Sequence, residues 1–223
     1  MTYVSSLNGL AAKIVGAVPK LGPTERRIAI GLYRLLSQGQ PVPPERLAET
    51  LNLSQGRVRE TLSHWPGVYR DGAGSVVGFW GLALSEMPHR FQVDGQTVYT
   101  WCAWDSLFIP GILGKTAKVE STDPVTSEKI SLVVDPEGVQ DLEPAGTVVS
   151  FLEPNGVFDN EVIQSFCHFV HFFASRKSGE QWTSKHKGTL LLSVDQAYEL
   201  GRQTNARNFG EALAKIPLIE RKK

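Results

Sequence analysis

Apolar residues fall at helical spacing through much of the first third of the chain. Val4, Leu7, Leu10, Ala11, Ile14, Val15 and Val18 recur every three or four positions, interrupted by Asn8 and Lys13, and predict a short amphipathic helix. Pro23 and Thr24 open a second pattern, with Ile28, Ile30, Leu32, Leu35 and Leu36 on its apolar side and Gly39 at its end. Pro43 and Pro44 lead into a short helix carrying Leu47, Ala48 and Leu51, and Ser54 is placed to cap another over 55–64. Residues 67–70 and 75–80 then read as strands joined by Asp71-Gly72-Ala73-Gly74, a hairpin signal. Three short helices followed by a hairpin form the pattern of a winged helix-turn-helix.

From about Leu82 the period changes. A second hairpin turns on Asp94-Gly95, and residues 101–109 form an apolar stretch that Pro110 should stop. Strands are expected at 116–121, 129–134 and 146–152, and the aromatic segment 165–173 reads as another. A helical turn is expected at 181–187 and a helix from Asp195 to about Leu213. The expected class is α+β: an N-terminal winged-helix-like helical domain followed by a mixed domain of antiparallel strands with helices. The expected division is an N-terminal helical arm over 1–22, the winged-helix-like domain over 23–81, and an α/β domain over 82–223.

Composition narrows the choice of partners. Of 223 residues, 41% are hydrophobic and 21% charged, and the 23 basic side chains balance the 23 acidic ones. A neutral chain gives no support for attraction to nucleic acid or a membrane surface. No apolar run is long enough to span a bilayer, and the first helix lacks the single apolar block of a secretion signal. A cytoplasmic location follows as an expectation, where two cysteines are expected as thiols rather than as a disulfide.

Two constellations could carry chemistry. In Cys102-Ala103-Trp104-Asp105, a helical i, i+3 spacing would make thiol and carboxylate neighbours. Such a carboxylate can take the thiol proton and return it to a leaving group. The same residues also suit a buried small hydrophobe beside two tryptophans. In the segment from Phe166 to Phe173, a strand would align Cys167, Phe169, His171 and Phe173 on one face. That arrangement suits a metal ligand in an aromatic setting or a core strand with hydrogen-bonded histidines. Cys102, Cys167, His168, His171 and His186 are of zinc-ligating type but lack paired spacing. Arg57 and Arg59 on the third helix of the winged pattern could reach DNA, though few basic residues flank them. No P-loop, GxSxG or HExxH occurs, nor a GxGxxG opening a helix after a strand.

The run from Tyr99 to Leu107, followed by Pro110 and Gly114-Lys115-Thr116-Ala117, resembles the first active-site segment of the alkylmercury lyase (organomercurial lyase) family. Ser165 to Ser175 resembles the second, and Gly39 to Val42, Gly78 to Leu82 and Asp195 to Arg202 also fit, so the likeness spans about residues 24–205. It implies that Cys102 and Cys167 are the catalytic cysteines and mercury ligands and that Asp105 is the catalytic aspartate. The implied reaction is protonolysis of R–Hg⁺ to RH and Hg(II): Cys102 binds first, Cys167 second, and Asp105 delivers the proton. No organic cofactor is implied, mercury being substrate and product. The implied partners are cellular thiols for product release and mercuric reductase as acceptor, without nucleic acid or membrane. His168 and Asp123 stand where some relatives carry further cysteines. Two other readings stay open on the residues: a winged-helix DNA-binding regulator sensing a soft metal through the same cysteines, and a zinc-bound structural module.

Overall fold

The computed structural model describes residues 6–215. Val4 of the expected first helix, and the outer ends of the expected arm and of the expected α/β domain, lie outside them. Helix α1 (Leu7–Ala17) begins at Ser6, whose side chain accepts from the Gly9 N–H. Helix α2 (Pro23–Leu36) has proline in its first turn, and every residue from Ile28 to Leu36 is buried. A helix covered all round lies at the centre of a fold rather than on its surface. Helix α3 (Pro44–Leu51) closes with Asn52 in the left-handed conformation, and α4 (Gln55–His64) is capped by Ser54 as expected. The wing pairs β1 (Val68–Arg70) with β2 (Val76–Phe79), and the Asp71 side chain accepts from the Ala73 and Ser75 N–H groups across the turn.

The wing does not stop at itself. Two residues, β3 (Leu82–Ala83), join β2 to β5 (Gln96–Thr100), which pairs with β4 (His89–Val93). Strands β6 (Ala117–Thr122), β7 (Lys129–Asp135) and β8 (Gly138–Glu143) follow, so one eight-stranded sheet runs in the order β1-β2-β3-β5-β4-β6-β7-β8 with all neighbours antiparallel. The polar strand β8 carried no apolar alternation to reveal it. A smaller sheet sets β9 (Val148–Leu152) between β10 (Phe172–Phe173) and β11 (Thr189–Ser193).

Four expectations are corrected. Pro110 does not stop its helix: α5 runs Ala103–Leu113 and ends at Gly114, with φ 66°. The proline removes one backbone bond, but nine of the eleven residues of α5 are buried, and tertiary packing outweighs a local defect. Segment 165–173 is not a strand. Helix α6 (Val162–Ser165) leads into a 3₁₀ turn, Cys167–Phe169, and only Phe172 and Phe173 pair with β9. Before that short strand, Phe166, Cys167 and Val170 are the buried positions, which is a three-to-four spacing and not an alternation. Helix α7 (Arg176–Thr183) starts earlier than the turn expected at 181–187, because Ser175 caps it by accepting from the Ser178 N–H. Helix α8 (Val194–Phe209) breaks at Gly210 before a final turn, α9 (Ala212–Lys215). Its start is a capping box: Ser193 accepts from the Gln196 N–H, and Gln196 Oε1 accepts from the Ser193 N–H at 2.9 Å.

Candidate active site

Cys102 is the residue that begins α5, and Asp105 is the third residue of that helix. The Asp105 Oδ2 accepts from the Cys102 backbone N–H at 2.9 Å, while the Cys102 side chain faces the Asp105 N–H. The pair is therefore a capping box in which sulfur replaces the usual hydroxyl. The Cys-x-x-Asp spacing makes them neighbours, as expected, but through a helix cap rather than a helix face.

Cys167 arrives from the 3₁₀ turn. The Ala103 N–H donates to the Val170 carbonyl at 3.1 Å, so the exit of that turn is tied to the first residue of α5. Ser150 on β9 completes the clamp. Its backbone N–H donates to the His171 carbonyl, its hydroxyl donates to the Phe169 carbonyl at 2.8 Å, and the hydroxyl oxygen accepts from the His171 N–H at 2.9 Å. Ser150 is fully buried. Removing its hydroxyl strands a buried donor and acceptor, so Ser150→Ala is expected to lose about 1–3 kcal/mol in urea unfolding. An unchanged unfolding midpoint would remove Ser150 from the clamp.

The two sulfurs and an Asp105 oxygen lie within 4.8 Å of one another, and both cysteines are free thiols. Among the described residues no other set of three His, Cys, Asp or Glu side chains converges this closely. His168, His171 and His186 are not part of it. His171 Nε2 lies 2.7 Å from the His168 carbonyl, and the His186 ring stacks on Trp182 at 3.7 Å. The Cys₂His₃ zinc set is thus not assembled.

The surroundings set the proton affinities. Burial raises the Asp105 carboxyl from its ordinary value near 3.8 to about 7, against the pull of its side-chain and backbone contacts with Cys102. Burial pushes the Cys102 thiol well above its usual range. The hydrogen bond it gives to Cys167 and the negative charge of Asp105 add to this. For Cys167 the same thiol hydrogen bond favours the thiolate, but burial and Asp105 outweigh it, leaving the group moderately raised. At neutral pH the trio therefore holds its protons on sulfur, beside a carboxyl poised near half ionisation.

Above the trio lies a cavity of about 80 Å³. Trp80, Trp101, Trp104, Phe158 and Phe166 dominate its wall, with α1 contributing Ile14. Asp105 and Cys167 reach this wall, and Cys102 sits behind them, fully buried. The wall also includes Gly81, a residue whose role was invisible in the chain. Its φ is +99°, and a Cβ there would sit 2.5 Å from both Cγ and Oδ1 of Asp105. Only glycine lets the backbone close on the carboxyl at this point.

Asp123, where some relatives were expected to carry cysteine, is buried far from a thiol role. Its carboxylate accepts from the Val125, Thr126 and Ala174 N–H groups and from the Ser178 hydroxyl at 2.6 Å. It ties the end of β6 to the start of α7. On α4, Arg57 pairs with Glu25 and Glu60, and Arg59 with Glu45, so both guanidinium groups face carboxylates of the same chain. No helix among the described residues is long and apolar enough to cross a membrane.

The chain is similar to known proteins along most of its length. A family model described as alkylmercury lyase matches residues 82–205, and one described as the helix-turn-helix domain of alkylmercury lyase matches residues 10–80. The chain is 44% identical over 172 residues to an alkylmercury lyase of Pseudomonas putida, covering 77% of this chain and 80% of that protein. It is 38% identical over 176 residues to one from Staphylococcus epidermidis, covering 79% and 80%. Its fold superimposes on the mercury-bound form of MerB2 with a TM-score of 0.70 at 20% identity, covering 93% of this chain and 98% of the other. From the paired match along its length and these identities, the chain belongs to the alkylmercury lyase family.

Proposed function

We propose that the chain cleaves the carbon–mercury bond of R–Hg⁺ compounds by protonolysis, with Cys102 and Cys167 as the mercury ligands and Asp105 as the proton relay. The observation that carries this reading is the convergence of two thiols and one buried carboxyl at the end of an aromatic cavity. Thiolates suit mercury because both partners are soft. An apolar wall suits the hydrocarbon R and keeps water from the reacting carbon.

The steps follow from positions and proton affinities. The substrate enters as R–Hg–X, with X an external thiolate. Capture begins at Cys167 in this reading, not at Cys102 as the resemblance implied, because Cys167 reaches the cavity wall and its thiolate is the more accessible of the two. Its proton leaves with X. Ionised Asp105 then takes the proton of Cys102, whose sulfur becomes the second ligand. Donation from two sulfurs loads the carbon with electron density. The Asp105 proton moves to carbon, and the C–Hg electron pair becomes the new C–H bond. The sum is R–Hg–X plus two cysteine thiols giving RH, HX and Hg(II) bridged by Cys102 and Cys167.

External thiols are then needed to exchange Hg(II) off the pair, and mercuric reductase is the acceptor we expect beyond them. No organic cofactor enters any step. A cytoplasmic setting, rich in reduced thiols, fits both needs. In this reading the arm 1–22, the helical unit 23–81 and the unit 82–223 act together on one cavity rather than on nucleic acid. The internal ion pairs of Arg57 and Arg59 speak against the regulator reading.

The test is release of benzene from a phenylmercury salt by the purified chain with excess thiol, followed by gas chromatography. Catalytic release is expected. If no benzene appeared and the chain instead retarded duplex DNA in a salt-dependent manner, the regulator reading would replace this one.

A further inference from the structure

One polar group at the cavity comes from the helical N-terminal half and has no part in the proton transfers above. Tyr33, on α2, is buried, and its ring packs on Phe79 at 5.0 Å between centroids. Its hydroxyl donates to the Trp80 carbonyl at 2.7 Å. Among the α2 residues from Ile28 to Leu36, only Tyr33 and Arg34 carry polar side chains. A phenol is a costly choice inside an apolar helix unless its hydroxyl is bonded, and a leucine would fill such a place without that demand.

The carbonyl it holds belongs to an unusual turn. Trp80 has φ +33°, rare for a bulky residue, and Gly81 follows at φ +99°. The rest of Trp80 is pinned as well. Its indole N–H donates to the Pro66 carbonyl at 2.7 Å and its backbone N–H to the Gly67 carbonyl at 3.3 Å. On the far side, the Gly81 carbonyl accepts from the Trp101 N–H at 2.9 Å, next to Cys102. The phenol thus fixes the plane of the Trp80–Gly81 peptide, and that plane decides how closely the Gly81 Cα presses on the Asp105 carboxyl.

We propose that Tyr33 is a positioning residue for the proton relay: by holding the Trp80 carbonyl it keeps Gly81 against Asp105, excludes water from that carboxyl and aims it at the two sulfurs. The inference rests on the lyase reading for its kinetic consequence, but not for its geometry. It assigns the winged-helix-like half a part in the chemistry, since α2 supplies one wall of the seat of Asp105. Tyr33 does not itself donate a proton to substrate, because its O–H is committed to Trp80 and burial raises its pKa well above the ordinary phenol value.

Tyr33→Phe keeps the ring and removes only the hydroxyl, so the variant should fold. Two readouts test it. With phenylmercury as substrate, kcat should fall roughly tenfold while KM stays unchanged, since a small misplacement of a reacting group acts on turnover rather than on binding. Independently, the Asp105 carboxyl, followed by ¹³C NMR in the mercury-free protein, should titrate below the wild-type midpoint of about 7, because a looser seat admits water. An unmoved midpoint with unchanged kcat overturns the proposal. A lowered melting temperature with an unmoved midpoint also overturns it, by reducing Tyr33 to a packing residue. If wild type releases no benzene, the lyase reading fails on its own, and the carboxyl titration alone decides whether Tyr33 positions Asp105.

Discussion

Asp105→Asn should abolish most turnover while leaving Hg(II) bound. The amide oxygen of asparagine can still accept from the Cys102 N–H, so the start of α5 survives. It can neither take the Cys102 proton nor give one to carbon. Loss of a positioned general acid–base lowers rates by about 10²–10⁴-fold, and single-turnover measurement of RH release should show a drop of that order. Equilibrium binding of Hg(II), which needs only Cys102 and Cys167, should be nearly unchanged. Turnover by Asp105→Asn at the wild-type rate would remove the relay.

The same substitution should change two pH dependences. In wild type the reaction needs ionised Asp105, so kcat/KM should rise with pH along a limb centred near 7, and that limb should be missing from the variant's residual activity. Stability runs the other way. The folded carboxyl binds its proton more tightly than the ordinary value of 3.8 allows. Between pH 4 and 7 the folded state therefore holds protons that the unfolded chain has released. Stability from this group is full below about pH 4 and is lost as pH rises through about 7, by roughly 4 kcal/mol in all. Urea unfolding of Asp105→Asn should lack that decline, and the difference between the two proteins across this window isolates the contribution of Asp105.

Gly81→Ala should be nearly as damaging without replacing a reacting group. The added Cβ would need to occupy space 2.5 Å from Asp105 Cγ, at a backbone φ of +99° that alanine resists. Either Asp105 swings away from the sulfurs or the Trp80–Gly81 turn opens. A shift near 1 Å in a reacting group can lower turnover about 10²-fold, and the strained backbone adds about 1–3 kcal/mol of destabilisation. A double-mutant cycle separates the two effects. In an Asp105→Ala background the nearest clashing atoms are gone, so Gly81→Ala should there lose less stability than it does in wild type. Equal losses in both backgrounds would mean that Gly81 answers only to backbone strain and not to Asp105.

These two positions show where legibility in the sequence ended. Asp105 was visible because its link to Cys102 is local, three residues along the chain, and the resemblance supplied its partner Cys167. Gly81 acts on a side chain twenty-four positions later, through an approach that exists only once β3 pairs with β5. Ser150 and Tyr33 were equally silent, since a serine in a strand and a tyrosine in a buried helix look like ordinary packing until their hydrogen bonds are seen. The helices α2 to α4 and the wing were legible because caps, prolines and an Asp-Gly turn mark them locally. Segment 165–173 was misread because its aromatics are so dense that an alternating and a helical period both fit. Burial of Phe166, Cys167 and Val170 is what chose between them.

Among the described residues, two helices begin with a capping box. At α8, Ser193 and Gln196 exchange hydrogen bonds across the first turn. At α5, Cys102 and Asp105 make the same exchange in a buried setting with Cys167 alongside. One oxygen-to-sulfur replacement, and an acid in place of an amide on a side chain one methylene shorter, separate a common way of beginning a helix from a thiol–acid pair fitted to a soft metal. On that comparison, the raw material for organometal chemistry is present wherever a helix starts with a capping box. What is scarce is a second thiol held opposite, and a dry wall over both.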